Sequence, residues 1–488
     1  MTAGLAVEAV AWRLQAALDP ASTAAPAPPG GAAAAATVPL LAAPAVVELG
    51  GRQVRTWAFG GALPGPELRV RAGGTLRVRL ENGLPEPTTV HWHGIAIRND
   101  MDGVPGLTQR AVAPGGRFLY EFRAPHPGTY FYHPHVGVQV DRGLYGALVV
   151  EDPDEPGRYD REAVVVLDDW TDGVGASPDR LLASVRRGMG GMDGMAGMDG
   201  MDRMDGMAGM PGMGGGRVDP LGGDPGDIQY PLYLLNGRPP AAPATLAARP
   251  GQRIRLRIVN AGADTAFRVA LGGHRLTVTH ADGWPVRPVG TGALLVGMGE
   301  RYDVVAELGD GAFPLVAVAE GKGGRALAVV RTARGRAPRP DVRLAELGGR
   351  PLTVAGLRAA DGAGLGRRAP DRTHRLLLAG DMATYRWTIN GQTMGGAVPF
   401  EVRQGERVRL VFDNRSPMFH PMHLHGHTFQ VRRQGERAPG PRKDTVIVRP
   451  GERVTVEFEA RNPGRWMLHC HNAYHAASGM MSVLEYAG

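Results

Sequence analysis

Cys470 is the single cysteine in a chain of 488 residues, and it stands between two histidines in the run His469-Cys470-His471. His475 follows four residues later and Met480 five beyond that, while His420-Pro421-Met422-His423-Leu424-His425 lies upstream. A lone cysteine forms no internal disulfide, so its thiol is either an inert buried group or a chemical one. One thiolate, two imidazoles and a weak thioether make the ligand set of a blue-copper electron-transfer site. A merely buried sulfur has no need of that company.

Histidines spaced H-x-H form four pairs in matching places of the two ends of the chain, His91/His93, His133/His135, His423/His425 and His469/His471. On a β-strand, residues i and i+2 leave the same face, so each pair can aim two imidazoles at one point. A single pair is weak evidence; four in matching positions, one of them enclosing Cys470, are strong evidence. The residue inside the pair points the other way. Cys470 is therefore expected to reach a separate metal across its strand, which Pro134 in the equivalent place cannot do.

Strands must carry these residues, and the chain repeats them. Arg71–Asn82, Arg249–Asn260 and Arg403–Asn414 each hold a turn glycine, an alternating apolar strand and a closing asparagine. The alternation of Leu76, Val78 and Leu80 is the period of a half-buried strand. A second element recurs from Pro114, Gly299 and Pro450. Such spacing predicts three antiparallel sandwiches with Greek-key connections, and the length suits about three domains. The 72 glycines and 40 prolines fit an all-β chain rich in turns. The expected boundaries are 45–155, 156–335 and 370–488, with a linker over 336–369. Residues 1–44 are read as a short amphipathic helix over 6–18 and an Ala/Pro-rich linker. No export signal is visible in that stretch.

The net charge of +7 comes from arginines scattered singly along strands, with Lys322 and Lys443 the only lysines. No basic cluster with interleaved aromatics occurs, so nucleic acid is excluded as a partner and the charge is read as solvated surface. The shortage of lysine is ascribed to codon bias. No apolar run is long enough to span a membrane.

With the motifs HWHG (91–94), HPH (133–135), HPMHLHGH (420–427) and HCHNAYHAASGM (469–480), the chain resembles the three-domain multicopper oxidases, the laccase and cuprous-oxidase family. The resemblance covers about residues 45–335 and 370–488. It implies three cupredoxin-like domains and four coppers per chain. His420, Cys470 and His475 would bind the mononuclear type 1 copper, with Met480 as axial ligand. His91 and His423 would bind the type 2 copper. His93, His133, His135, His425, His469 and His471 would bind the type 3 pair. His126 and His427 match no ligand position, and His274 and His280 in the middle domain are read as structural.

The implied reaction is four one-electron oxidations coupled to reduction of O2 to water, with Cu(I), phenols or aromatic amines as donors. The resemblance also implies an extracytoplasmic location. Asp102 occupies the place where the family keeps an acid near the cluster; its other reading is a turn aspartate before Gly103. Many bacterial members carry glutamate directly after the residue matching His475, whereas this chain has Ala476. The departure leaves Asp102 as the proton carrier.

From Met189 to Met213 a methionine falls at every third residue, nine in all, separated mostly by Gly, Ala and Asp. Glycine at that density disfavours an α-helix, so an irregular insertion over 186–217 in the second domain is expected. Thioethers select Cu(I) over hard ions, and similar segments resemble those of bacterial copper-tolerance oxidases; a neutral low-complexity repeat is the bland reading. The leading function is thus a copper-dependent oxidase. A copper-sequestering protein using the methionine ladder is the alternative from another class, and a copper-free scaffold a third.

Overall fold

The three repeated strands occupy equivalent places in three double-sheet sandwiches. The computed structural model describes residues 36–155, 157–188, 219–432 and 439–487, and Thr37–Gly488 forms one compact unit. Each repeat strand (Thr75–Asn82, Arg253–Asn260, Arg407–Asn414) pairs antiparallel with the strand made by the second recurring element, Arg117–Arg123, Arg301–Glu307 and Arg453–Glu459 respectively. On its other edge it pairs parallel with the first strand of its own sandwich. The two sheets hold four strands each in the first sandwich, and six and five in the second and third.

These are not wholly antiparallel sandwiches, as the turn spacing suggested. Every one of the six sheets contains a parallel pair, because Greek-key crossovers return a distant strand beside an earlier one. The first strand, Thr37–Leu49, also begins ahead of the expected boundary at residue 45. Its Ala/Pro-rich composition reads as linker, yet Leu40 and Ala42 are buried and the strand aligns with Thr75–Asn82. Local composition does not reveal a partner more than thirty residues away. The helix expected over 6–18 and the methionine ladder lie outside the described residues.

The closing asparagine of each repeat is a working part. Asn82, Asn260 and Asn414 are buried; each donates through Nδ2 to one carbonyl of the loop that follows (Glu86, Thr265, Met418) and to one from a distant segment (Val112, Val296, Val448), and accepts a backbone N–H two residues on. A buried amide with every such bond made fixes the exit of the strand. In the first and third sandwiches that exit leads to His91 and His420; in the middle one it leads to a loop without histidine.

Arginine is not uniformly solvated surface as expected. Arg255, Arg257, Arg268, Arg301 and Arg407 are buried, each against carboxylates. Single-residue spacing along a strand gives no hint that the outward face of one sandwich is the inward face of a domain contact. Among the described residues no helix is long and apolar enough to cross a membrane.

Candidate metal centre

The strand His91–His93 pairs with Gly128–His133, so that His91 faces His133. The third sandwich repeats the arrangement: His420–Leu424 pairs with Arg465–Cys470, placing His423 opposite His469. The two sets of strands bring eight imidazoles together from the two ends of the chain. The ligand atoms converge in groups: His91, His93 and His423; His93, His133 and His471; His135, His425 and His469. Within the last group the Nε2 atoms of His425 and His135 stand 3.0 and 3.4 Å from that of His469.

The pairs do not act as sequence spacing suggested. His133 and His135 fall in different groups, as do His423 and His425, and His469 and His471. Pairs aligned along a strand are offset along its length, so each pair spans two positions rather than one. The cluster is thereby stitched across both domains.

On the opposite face of the last strand, Cys470 meets His420 and His475. Its Sγ lies 3.6 and 3.7 Å from their Nδ1 atoms, which are themselves 3.1 Å apart. All three side chains are fully buried. Ser416 Oγ, 2.6 Å from His420 Nε2, fixes that ring with Nδ1 toward the sulfur. Asn472 caps the short helix Ala473–Ala477 by accepting the N–H groups of Tyr474 and His475. Met480 is buried, and two backbone hydrogen bonds of 3.0 Å join it to Cys470 and His475. Trp387 lies 4.0 Å from His475, ring centre to ring centre.

Such an array of buried imidazoles has the donor atoms to hold a metal ion. Burial first, and neighbouring imidazoles next, push the pKa values of His93, His135, His425 and His471 well below the ordinary histidine range, and that of His133 down to about 3. Neutral imidazole is the form that binds metal. His91 Nε2, His93 Nδ1, His133 Nε2, His423 Nε2 and both nitrogens of His471 are buried without a hydrogen-bond partner. Buried polar atoms are otherwise almost always paired.

The far nitrogens, by contrast, are tied down. His91, His133, His423 and His469 donate through Nδ1 to the carbonyls of Asp102, Pro134, Asp444 and Cys470 at 2.8–2.9 Å. His425 donates to Asp102 Oδ2 at 2.9 Å, and His93 to Asp444 Oδ1 at 3.1 Å. This division, one nitrogen oriented and the other free, is how proteins present histidine to a metal. Nitrogen-rich groups suit Cu(II), and the sulfur-containing one suits a copper that cycles between oxidation states.

Asp102 combines the turn position with proximity to the cluster. It closes a short turn before Gly103, and its buried carboxylate also lies 3.3 Å from His91 Nδ1 while accepting from His425. His427 lies behind His425, donating to its carbonyl at 3.0 Å, and His126 is exposed. His274 and His280 belong to none of the groups among the described residues.

Profiles described as multicopper oxidase match residues 42–155, 212–334 and 367–487. The chain belongs to the multicopper oxidase family. It is 48% identical, over 97% of its length and 90% of the relative's, to the multicopper oxidase MmcO of Mycobacterium tuberculosis. It is 28% identical to copper resistance protein A of Escherichia coli, covering 89% of this chain and 90% of that one. The crystal structure of a multicopper oxidase from Pseudomonas thermotolerans superposes with a TM-score of 0.67 at 28% identity, covering 93% of this chain and 99% of that one. The protein is accordingly a copper-dependent oxidoreductase of three cupredoxin-like domains.

Sequence reasoning missed four residues of this oxidase. Ser416 orients His420. Asp444 carries His93 and His423. Arg301, from the middle domain, grips Asp444 through two bonds of 2.7 Å. Asp227, also from the middle domain, accepts from His475 Nε2 at 2.9 Å. Two signals were available. Gly94 of the HWHG motif has φ of +86°, and a Cβ there would meet Arg301 Nη2 at 2.3 Å and Asp444 Oδ2 at 2.6 Å. The second is the lysine count: Lys322 and Lys443 are both fully buried in ion pairs, with Asp264 and Asp282.

Proposed function

We propose that this multicopper oxidase holds four coppers per chain: one at His420, Cys470 and His475 with Met480 as axial ligand, one at His91 and His423, and a pair at the remaining six cluster histidines. The observation that carries the reading is the set of buried nitrogens without a hydrogen-bond partner on His91, His93, His133, His423 and His471, the opposite nitrogen being bonded in all of these but His471. When bound, copper supplies one-electron acceptance at the sulfur site and four-electron reduction of O2 to water at the cluster. The protein's part is to keep imidazoles neutral, aim them, exclude water and deliver protons. Cys470 links the two regions covalently, being flanked by His469 and His471 of the cluster. Asp102 is the proton carrier, since its carboxylate already bridges His91 and His425.

The donor is Cu(I), with phenols and aromatic amines as further substrates. His475 is wholly buried, and the group that meets its Nε2 is Asp227. Asp227 also accepts from Tyr385, while its Oδ1 is buried without a partner. The His475 hydrogen bond holds this carboxyl below its usual range in spite of burial, which opposes ionisation. An ionised carboxylate beside the mononuclear site suits a cationic donor. The described flanks of the methionine-rich segment reach the same edge: Arg186 bonds Ala477 and Ser478, and Asp227 follows the segment. Together with the copper-resistance name of a relative, this supports a role in copper tolerance.

Steady-state oxidation of Cu(I) and of a bulky phenol, measured side by side on fully metallated protein, tests the assignment. Deleting residues 189–213 is expected to slow Cu(I) oxidation and spare the phenol; equal change in both removes any specific cuprous role for the ladder. Metal content near four with no oxygen uptake would instead identify a copper-sequestering protein.

A further inference from the structure

Among the described residues the middle domain contributes no histidine or cysteine to any of the metal groups, yet a buried ion-pair network from it stands behind each of the two copper regions. We infer that these networks are separate positioning devices: Arg301 with Asp282 sets the cluster ligands His93 and His423, and Lys322 with Asp264 sets the mononuclear ligand His475.

The cluster side runs through Asp444. Arg301, with no exposed side-chain surface, binds both oxygens of Asp444 at 2.7 Å and donates through Nε to the carbonyl of Thr129 in the first domain at 3.1 Å. A guanidinium held on both prongs fixes the carboxylate plane. That plane presents Oδ1 to His93 at 3.1 Å, while the Asp444 carbonyl receives His423 at 2.9 Å. Asp282 secures the same segment from its backbone, accepting N–H groups of Arg301, Asp444 and Thr445. Lys443 closes the charge at 3.1 Å from Asp282 and 3.2 Å from Glu300. One residue away, Gly299 (φ +79°) leaves no room for a Cβ, which would meet the rings of His471 and His93. The middle domain is thus pressed directly on the cluster.

The mononuclear side runs through Asn472. Lys322 Nζ lies 2.5 Å from Asp264 Oδ2, and the other oxygen of Asp264 accepts from Asn472 Nδ2. Asn472 is the cap that accepts the backbone N–H of His475. The same lysine and aspartate also hold both backbone groups of Ile228, the neighbour of Asp227: Lys322 donates to its carbonyl and Asp264 accepts its N–H. His475 is therefore approached from two directions, through its own backbone and through the carboxylate on its Nε2. Neither network shares a residue with the other.

A role confined to stability would disturb both copper regions together, and a positioning role would disturb one at a time. The inference rests on the ligand assignment proposed above, so the copper-loaded parent protein is the control. The test compares Arg301→Lys with Asp264→Asn in the full chain by EPR, by blue thiolate absorption and by copper stoichiometry. Arg301→Lys keeps a charge but loses the fork. It should weaken type 2 copper retention by about 10–100-fold, the cost of losing an outer-shell partner, and leave the blue band unmoved. Asp264→Asn should shift the blue band and the type 1 reduction potential while the type 2 EPR signal keeps its hyperfine splitting. If Arg301→Lys does not fold, Asp282→Asn reads the same network one bond further away. Equal perturbation of both signals by either variant, or of neither, overturns the inference. A parent protein lacking the blue band or the type 2 signal would overturn the ligand assignment itself, which is a different result.

Discussion

The sulfur site and the histidine cluster lie on opposite faces of one strand, yet they are built on opposite plans. His420, Cys470, His475 and Met480 all come from the third sandwich, within 61 residues of sequence; Trp387 of the same sandwich packs on His475, and among the described residues the one carboxylate that meets a ligand there is Asp227, on His475 Nε2. The cluster exists only where the first and third sandwiches meet, and carboxylates stand directly behind it. Burial opposes the ionisation of Asp444, but Arg301 and then His423 hold its pKa well below the usual carboxylate range. A site that only passes electrons gains from ligands fixed within one rigid domain. One that must also take up protons needs ionised groups within reach.

The largest effect should come from cutting the link between the two plans. Cys470→Ser is expected to abolish the blue absorption and donor oxidation together, while copper stays in the cluster and its type 2 EPR signal survives. Loss of both signals would mean that the cluster depends on the sulfur site for assembly. Next is Asp102→Asn, which should slow oxygen reduction by about 100-fold, within the range for a lost general acid, with the blue colour intact; unchanged turnover would remove Asp102 from the proton path.

Asp227→Ala separates donors rather than sites. It should raise KM for Cu(I) about tenfold, as expected for one charge-assisted contact, and alter phenol oxidation far less; equal effects would place the Cu(I) approach elsewhere. The smallest change is expected from Trp387→Phe. The contact with His475 is kept in part, so the potential of the mononuclear site should shift without loss of copper, as judged by redox titration of the blue band. A cluster signal that moved as well would argue against two independent shells.

Much of the donor set was legible because it is written locally. H-x-H spacing, the lone Cys470 and the correspondence of His133-Pro134-His135 with His469-Cys470-His471 lie within short stretches, and strand periodicity says which face each side chain takes. The all-β architecture followed from three copies of one strand motif. The start of the first strand at Thr37 was hidden because its reason, parallel pairing with Thr75–Asn82, is not local. The partners of the ligands were hidden for the same reason. Asp444 looks like one more charge in Arg442-Lys443-Asp444, and Arg301 like one more scattered arginine, until folding places them 2.7 Å apart. The two lysines read as codon bias are both pins in the interior.

The sequence by itself therefore determined which atoms can bind metal and on which side of a strand they emerge, since both follow from residue type and a two-residue period. Only the tertiary structure decided which imidazoles share a site, splitting three of the four pairs. It also decided that the domain without ligands would brace both regions. Those outcomes depend on contacts between residues hundreds of positions apart, where neither spacing nor composition carries information.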